Sequence, residues 1–157
     1  IEGIYVPISA AEEIGIVSSQ LVYYNIQAQV LGSGEWNNLT ELDANKRYCN
    51  KVIFESDSYV NAADSAYAEF VTAYFERYKK KPSKNTLYGY DTAAMLLSMI
   101  RSGGNSRESL ASGLRRMEAY RGLHANISFS TKRVNSWLWI LQYSGDQINM
   151  IDGFNVE

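Results

Sequence analysis

The segment Lys79-Lys80-Lys81-Pro82-Ser83-Lys84-Asn85-Thr86-Leu87-Tyr88-Gly89-Tyr90-Asp91-Thr92-Ala93-Ala94 decides how this chain folds. Its three lysines close an amphipathic helix whose apolar stripe is Tyr67, Phe70, Val71, Tyr74 and Tyr78. Cations suit the negative end of a helix macrodipole, so this basic run reads as a helix end. Pro82 marks a loop. Beyond it, Tyr90, Ala94, Leu97 and Ile100 lay out a second helix. It opens on Tyr90-Asp91-Thr92-Ala93 and stops at Ser102-Gly103-Gly104. Leu110, Leu114 and Met117 mark a third.

The chain before these helices has a different texture. Ile4-Tyr5-Val6-Pro7-Ile8 reads as a short buried strand, with Pro7 ending its ladder. Ser9-Ala10-Ala11-Glu12 fits a capping box, and Ile14, Val17, Leu21 and Tyr24 follow at helical spacing. Gln27 to Leu31 is a second strand, ended by Gly32-Ser33-Gly34. Leu39 to Tyr48 is a short helix, and Val52-Ile53-Phe54 a third strand. A βαβαβ order predicts a parallel sheet. Ser56 to Ala63 is polar and reads as a crossing between lobes. Three consecutive helices cannot all extend the first sheet, so a second packing unit is expected. After them, Ile127 and Phe129 alternate as in a strand. Trp137 to Tyr143 is a longer strand, which turns at Gly145-Asp146 and pairs back through Ile148 to Ile151.

Composition narrows the function. The chain has 157 residues, 46% apolar and 20% charged, which suits a globular fold with a real core. The formal charge of -2 leaves no basic excess to hold a phosphate backbone, so nucleic acid is not an expected partner. A single cysteine, Cys49, excludes an internal disulfide. One Cys and one His, His124, make no metal site by spacing, and no metal or cofactor is expected. Gly32-Ser33-Gly34 lacks the final glycine of a dinucleotide fingerprint. Asn38-Leu39-Thr40 and Asn126-Ile127-Ser128 match glycosylation sequons, which are frequent by chance. The first residue is Ile, with no signal peptide, and reads as a processed, clipped or engineered end.

Ile4-Tyr5-Val6-Pro7, Val30-Leu31-Gly32, Val52-Ile53-Phe54, Tyr90-Asp91-Thr92-Ala93 and Gly122 through Ile127-Ser128-Phe129 occur in an order that resembles the type I periplasmic-binding-protein family. The likeness is to the C-terminal half of its branched-chain amino-acid-binding branch, found in ABC transport and in receptor ligand-binding regions. It implies an α/β fold: one parallel-sheet βαβ lobe plus helices and strands of the second lobe, an incomplete two-lobed structure. The implied divisions are 1–55 in the second lobe, 56–63 as hinge crossing, 64–124 as helices of the other lobe, and 125–157 as returning strands and terminal hairpin. The family's opening strands and helices would precede Ile1, and they would be needed to complete the cleft.

The resemblance implies a binding protein and not an enzyme. The ligand would be a small polar solute, an amino acid or related metabolite. A membrane permease would be the partner, and the location periplasmic or cell-envelope. Ligands in open α/β sheets sit beyond the carboxyl ends of the strands. That places Ser9 at the cleft, as a ligand contact or a simple cap. In amino-acid-binding members an acid in the next loop resembles the partner of the ligand ammonium; Glu35 is the local acid, either in that role or as an exposed loop acid. Trp36 would stack on an apolar ligand side chain or pack on its own lobe. Tyr90 would face the cleft from the other lobe or serve packing alone, with Asp91 beside it near a helix start, where a carboxylate suits the helix dipole.

Two departures point to another branch. The family's Gly-x-x-Gly stands here as Gly122-Leu123-His124-Ala125, and Lys132-Arg133-Val134-Asn135 looks more like envelope lipoproteins that regulate cell-wall synthases. The alternative function is therefore an interaction domain whose partner is a cell-wall enzyme. A Cys49 hydrolase is a third reading.

Overall fold

The computed structural model describes residues 2–129 and 134–156. In chain order the elements are β1 (Gly3–Val6), α1 (Glu13–Tyr23), β2 (Gln29–Gly32), a 3-10 turn (Gly34–Trp36), α2 (Leu39–Ala44), α3 (Lys46–Cys49), β3 (Ile53–Ser56), α4 (Ser65–Tyr78), α5 (Lys84–Arg101), α6 (Arg107–Arg116), β4 (Tyr120–Arg121), β5 (Asn126–Ile127), β6 (Trp137–Ser144) and β7 (Gln147–Asn155). They form two compact units. The chain leaves the first after Asp57, returns after Trp137, and leaves again after Phe154.

The first unit is built on a five-stranded sheet of order β1-β2-β3-β6-β7. β1, β2 and β3 are parallel, with Tyr5 opposite Leu31 and Gly32 opposite Phe54. β6 runs antiparallel to β3. Gly145 and Asp146 both have positive φ (62° and 59°), the geometry of the tight turn whose twist matches a hairpin, and glycine adopts it without steric cost. Ile14, Leu42, Phe54, Leu141 and Tyr143 make the core. The buried stripe of α1 is Ile14 and Ser18, while Tyr24 lies past the helix end and is exposed. The expected capping box does not form. No side chain caps α1, and Glu13 rather than Glu12 reaches back, accepting from the Ser9 N–H at 3.1 Å. The expected helix over 39–48 is broken at Asn45 into α2 and α3.

The second unit holds α4, α5, α6 and the β4–β5 pair. Asp64 caps α4, accepting from the Ala66 N–H at 2.9 Å, and the helix ends on Lys79 in the left-handed region at φ 56°. Ser83 and Thr86 form a reciprocal capping box at the start of α5, and Ser106 and Ser109 do the same for α6. Met95, Ala125 and Ile127 pack together, flanked by Leu96, Leu114, Met117, Tyr120 and Phe129. α5 begins at Lys84, ahead of the expected opening at Tyr90, so Asp91 lies mid-helix and not near its start. The supposed dipole role of Asp91 is thereby lost. Of the segment Lys132–Asn135, Lys132 and Arg133 lie outside the described residues.

Candidate ligand-binding site

The parallel strands deliver three chain ends to one edge of the first unit: Val6, Gly32 and Ser56. Each runs on into a short polar turn. The Ser33 hydroxyl accepts from the Ile8 N–H at 3.2 Å and donates to the Ile8 carbonyl at 3.4 Å, so it ties the turn after β2 to the turn after β1. Asn37 donates to the Ser56 hydroxyl at 2.8 Å and ties the same turn to the end of β3. The three turns are thus fastened side by side by their own polar groups. This is the rigid backing that a ligand site on loops requires.

Two of the expected residues are exposed at that edge. Ser9 is exposed in the turn that follows β1. Glu35 is exposed in the 3-10 turn after β2. A loop carboxylate beside the carboxyl ends of parallel strands can accept charge-assisted bonds from an ammonium.

Trp36 behaves otherwise. It is 0% exposed, and its Nε1–H donates to the Val6 carbonyl at 3.0 Å. A Cβ at Gly32 would land in the indole ring, so the glycine is what lets the ring lie against β2. Of the two roles expected for Trp36, the buried ring fits packing on its own lobe and not stacking on a ligand, because neither face is left open. It is a core residue that pins the ends of β1 and β2 together.

Tyr90 belongs to the second unit, on α5. It is 45% exposed, and its ring lies 4.4 Å from that of Phe70 on α4. One side of the ring is engaged in helix packing and the remainder is free.

Sequence reasoning missed a buried polar cluster, which is also in the second unit. Asp91 is 1% exposed at its side chain. It accepts from the Leu123 N–H at 2.7 Å, the His124 N–H at 3.2 Å and the His124 Nδ1 at 2.6 Å. Burial pushes its carboxyl pKa up, but these hydrogen bonds outweigh burial and hold it below the usual carboxylate range. Asp91 is therefore ionised and Nδ1 carries the shared proton. Gly122 lies so close to the carboxylate that a Cβ there would collide with it. The signal available in the sequence was the pairing of Tyr90-Asp91 with Gly122-Leu123-His124-Ala125. Nothing in their spacing says that one wraps the other.

The hydrolase reading fails on Cys49. The thiol is buried, donates to the Leu42 and Asn45 carbonyls at 3.3 and 3.2 Å, and burial pushes its pKa up to about 11. Cys49 lies in the first unit and His124 in the second. Among the described residues no group of three or more His, Cys, Asp or Glu is placed to hold a metal ion. No helix among them is long and apolar enough to cross a membrane. Both sequons are engaged structurally: Asn38 caps α2, and Ser128 is buried with its hydroxyl on the Glu118 carbonyl at 2.7 Å.

Parallel strands ending in tied polar turns, and a chain that passes three times between two units, define an α/β binding protein of the type I periplasmic kind. A family model described as periplasmic binding protein matches residues 8–147, and the chain belongs to that family. It is a family of binding proteins and not of enzymes.

Solved structures agree in fold. A Rhodospirillum rubrum protein assigned provisionally to branched-chain amino acid ABC transport matches with a TM-score of 0.79 at 23% identity, over 96% of this chain and 44% of its own. A branched-chain amino acid ABC transporter structure from Thermus thermophilus, with bound valine, matches at 0.66 and 16% identity, over 99% and 46%. A leucine binding protein from Thermotoga maritima matches at 0.64 and 20%, over 98% and 44%. This chain thus spans less than half the length of these structures. No curated protein matches it.

Proposed function

We propose that this chain forms part of an exported solute-binding protein of the periplasm or cell envelope. Its ligand is a small polar solute of the amino-acid class, delivered to an ABC-transporter permease. The observation that carries this reading is the tied edge of the first unit, where Ser9 and Glu35 stand exposed beyond the ends of parallel strands. Ser9 supplies a hydroxyl and Glu35 a carboxylate for the ligand ammonium, with Tyr90 as the contribution of the second unit. Domain closure on the ligand would follow from contacts made only in the closed state. In this reading residues 56–63 carry the crossing, which falls after Asp57, and residues 125–157 contain the return, which falls after Trp137. Neighbours of similar fold carry valine or bind leucine, which supports the amino-acid class.

The test is calorimetry of the whole protein against a panel of amino acids. Heat with one of them, reduced at least about tenfold in affinity by Glu35→Gln, is expected from loss of a charge-assisted bond. Silence across amino acids, peptides and sugars would sink the reading.

The second reading is an interaction domain of an envelope lipoprotein acting on a cell-wall enzyme. It is favoured by Trp36, whose ring occupies the Val6 carbonyl and so closes one strand end to a solute. Pull-down of a cell-wall synthase together with a silent ligand panel would select it.

A further inference from the structure

His124 is the chain's one histidine, and all but one of its polar atoms are spoken for. Its N–H and Nδ1 are on Asp91, and its carbonyl accepts from the Tyr59 N–H at 2.7 Å. Tyr59 is the second residue after the chain enters this unit at Ser58. His124 therefore joins α5, the Gly122–Ala125 turn and the entering segment. The remaining atom, Nε2, is buried and has no hydrogen-bond partner. Such an atom is uncommon in folded proteins and calls for a cause.

From α5 come the Asp91 carboxylate and Tyr88, whose ring meets the imidazole edge-on at 4.4 Å between centroids. Lys84 lies over the far ring, 5.6 Å from the Tyr88 centroid. From β4, Tyr120 feels the Asp91 charge, after burial the next cause of its raised pKa. The entering segment meets His124 through the Tyr59 backbone.

We propose that the Asp91–His124 pair is a proton-operated latch, which holds the entering segment at Tyr59 when the ring is neutral and loosens it when Nε2 is protonated. The neutral ring keeps Nδ1–H on Asp91 and leaves only a lone pair unmet. Adding a proton at Nε2 makes a charged donor with no acceptor in the closed turn, which costs more than an unmet lone pair. A loosened turn lets water reach Nε2 and meet that donor. The protonated ring thus favours the loosened turn. The device is independent of which ligand, if any, the first unit binds.

The experiment follows one chain by NMR across pH. The imidazole signals of the single histidine give its titration midpoint. Amide exchange, corrected for the intrinsic pH dependence of the chemistry, gives protection at Tyr59, Leu123 and, as a control in the other unit, Lys51, whose N–H donates to the Tyr143 carbonyl. We expect protection at Tyr59 to drop about tenfold below the imidazole midpoint, with Lys51 unchanged. In His124→Asn the amide overlays Nδ1 and keeps the bond to Asp91, with no Nε2 to protonate, and the step vanishes. If this variant fails to fold, the wild-type comparison stands alone. A Tyr59 step away from the histidine midpoint, a step shared by Lys51, or a histidine that does not titrate before unfolding overturns the latch.

Discussion

Glu35-Trp36 and Tyr90-Asp91 are each an acid beside an aromatic residue, one pair in each unit, and they are used in opposite ways. In the first unit the acid is exposed and the ring is fully buried. In the second the acid is buried and the ring is nearly half exposed. Backbone geometry decides which partner faces out. Glu35-Trp36 follows a strand in a 3-10 turn, where the tryptophan folds back under the strand end. Tyr90-Asp91 lies in a continuous helix, where neighbouring residues point about 100° apart and the carboxylate meets the Gly122–Ala125 turn. An acid next to an aromatic is therefore not a binding signature by itself.

The sharpest way to break the comparison is to remove the buried acid. Asp91→Ala leaves His124 Nδ1 and two backbone N–H groups without their acceptor, and is expected to cost about 3–5 kcal/mol. Asp91→Asn keeps one acceptor oxygen and should cost less. Urea unfolding followed by circular dichroism measures both. A loss under about 1 kcal/mol for Asp91→Ala would mean that the cluster is dispensable.

The buried ring comes next. Trp36→Ala empties a core site and removes the bond to Val6, for about 3–5 kcal/mol. Trp36→Phe keeps most of the area but leaves the Val6 carbonyl unpaired, for about 1–3 kcal/mol. Equal costs for the two variants would show that the hydrogen bond, and not packing, holds the strand ends. If Trp36→Ala left stability unchanged, the ring would not be the core residue described above.

Acid tests the buried carboxylate directly. The folded-state pKa of Asp91 is depressed, so its contribution is fully present above the ordinary value of 3.8 and is lost as pH falls through the lower folded value. Wild-type stability should therefore fall in that window, and Asp91→Asn should flatten the fall. An equally steep acid transition in the variant would assign acid lability to other groups.

Much of the fold was legible in the sequence because each element carried its own local signal. Apolar runs gave β1 to β3, Gly145-Asp146 gave the hairpin, and Gly103 with its neighbours gave the stop of α5. The start of α5 was misplaced because the apolar stripe begins at Leu87 and Tyr90, while the Ser83–Thr86 cap lies in polar sequence ahead of it. The candidate site was less legible. Exposure of Ser9 and Glu35 follows from position after a strand, but the burial of Trp36 depends on Gly32, four residues back and on the strand itself. The Asp91–His124 contact joins residues 33 apart, and no periodicity reports such a pairing.

The smallest expected effect on stability is the most informative for function. Glu35 is exposed, and replacing its carboxylate with an amide of the same shape should change stability by no more than about 0.5 kcal/mol. The same Glu35→Gln change should weaken an ammonium-bearing ligand at least about tenfold, because a charge-assisted bond is replaced by a neutral one. Pairing the two measurements on one purified variant separates the roles that the two acids play. A stable variant with weakened binding makes Glu35 the outward acid of the first unit, offered to a ligand. A stable variant with unchanged affinity makes it an ordinary loop acid and moves the search for the ammonium partner to Ser9 and the turn carbonyls beside it. A destabilised variant would contradict the exposed placement of Glu35 itself, and with it the contrast between the two acids.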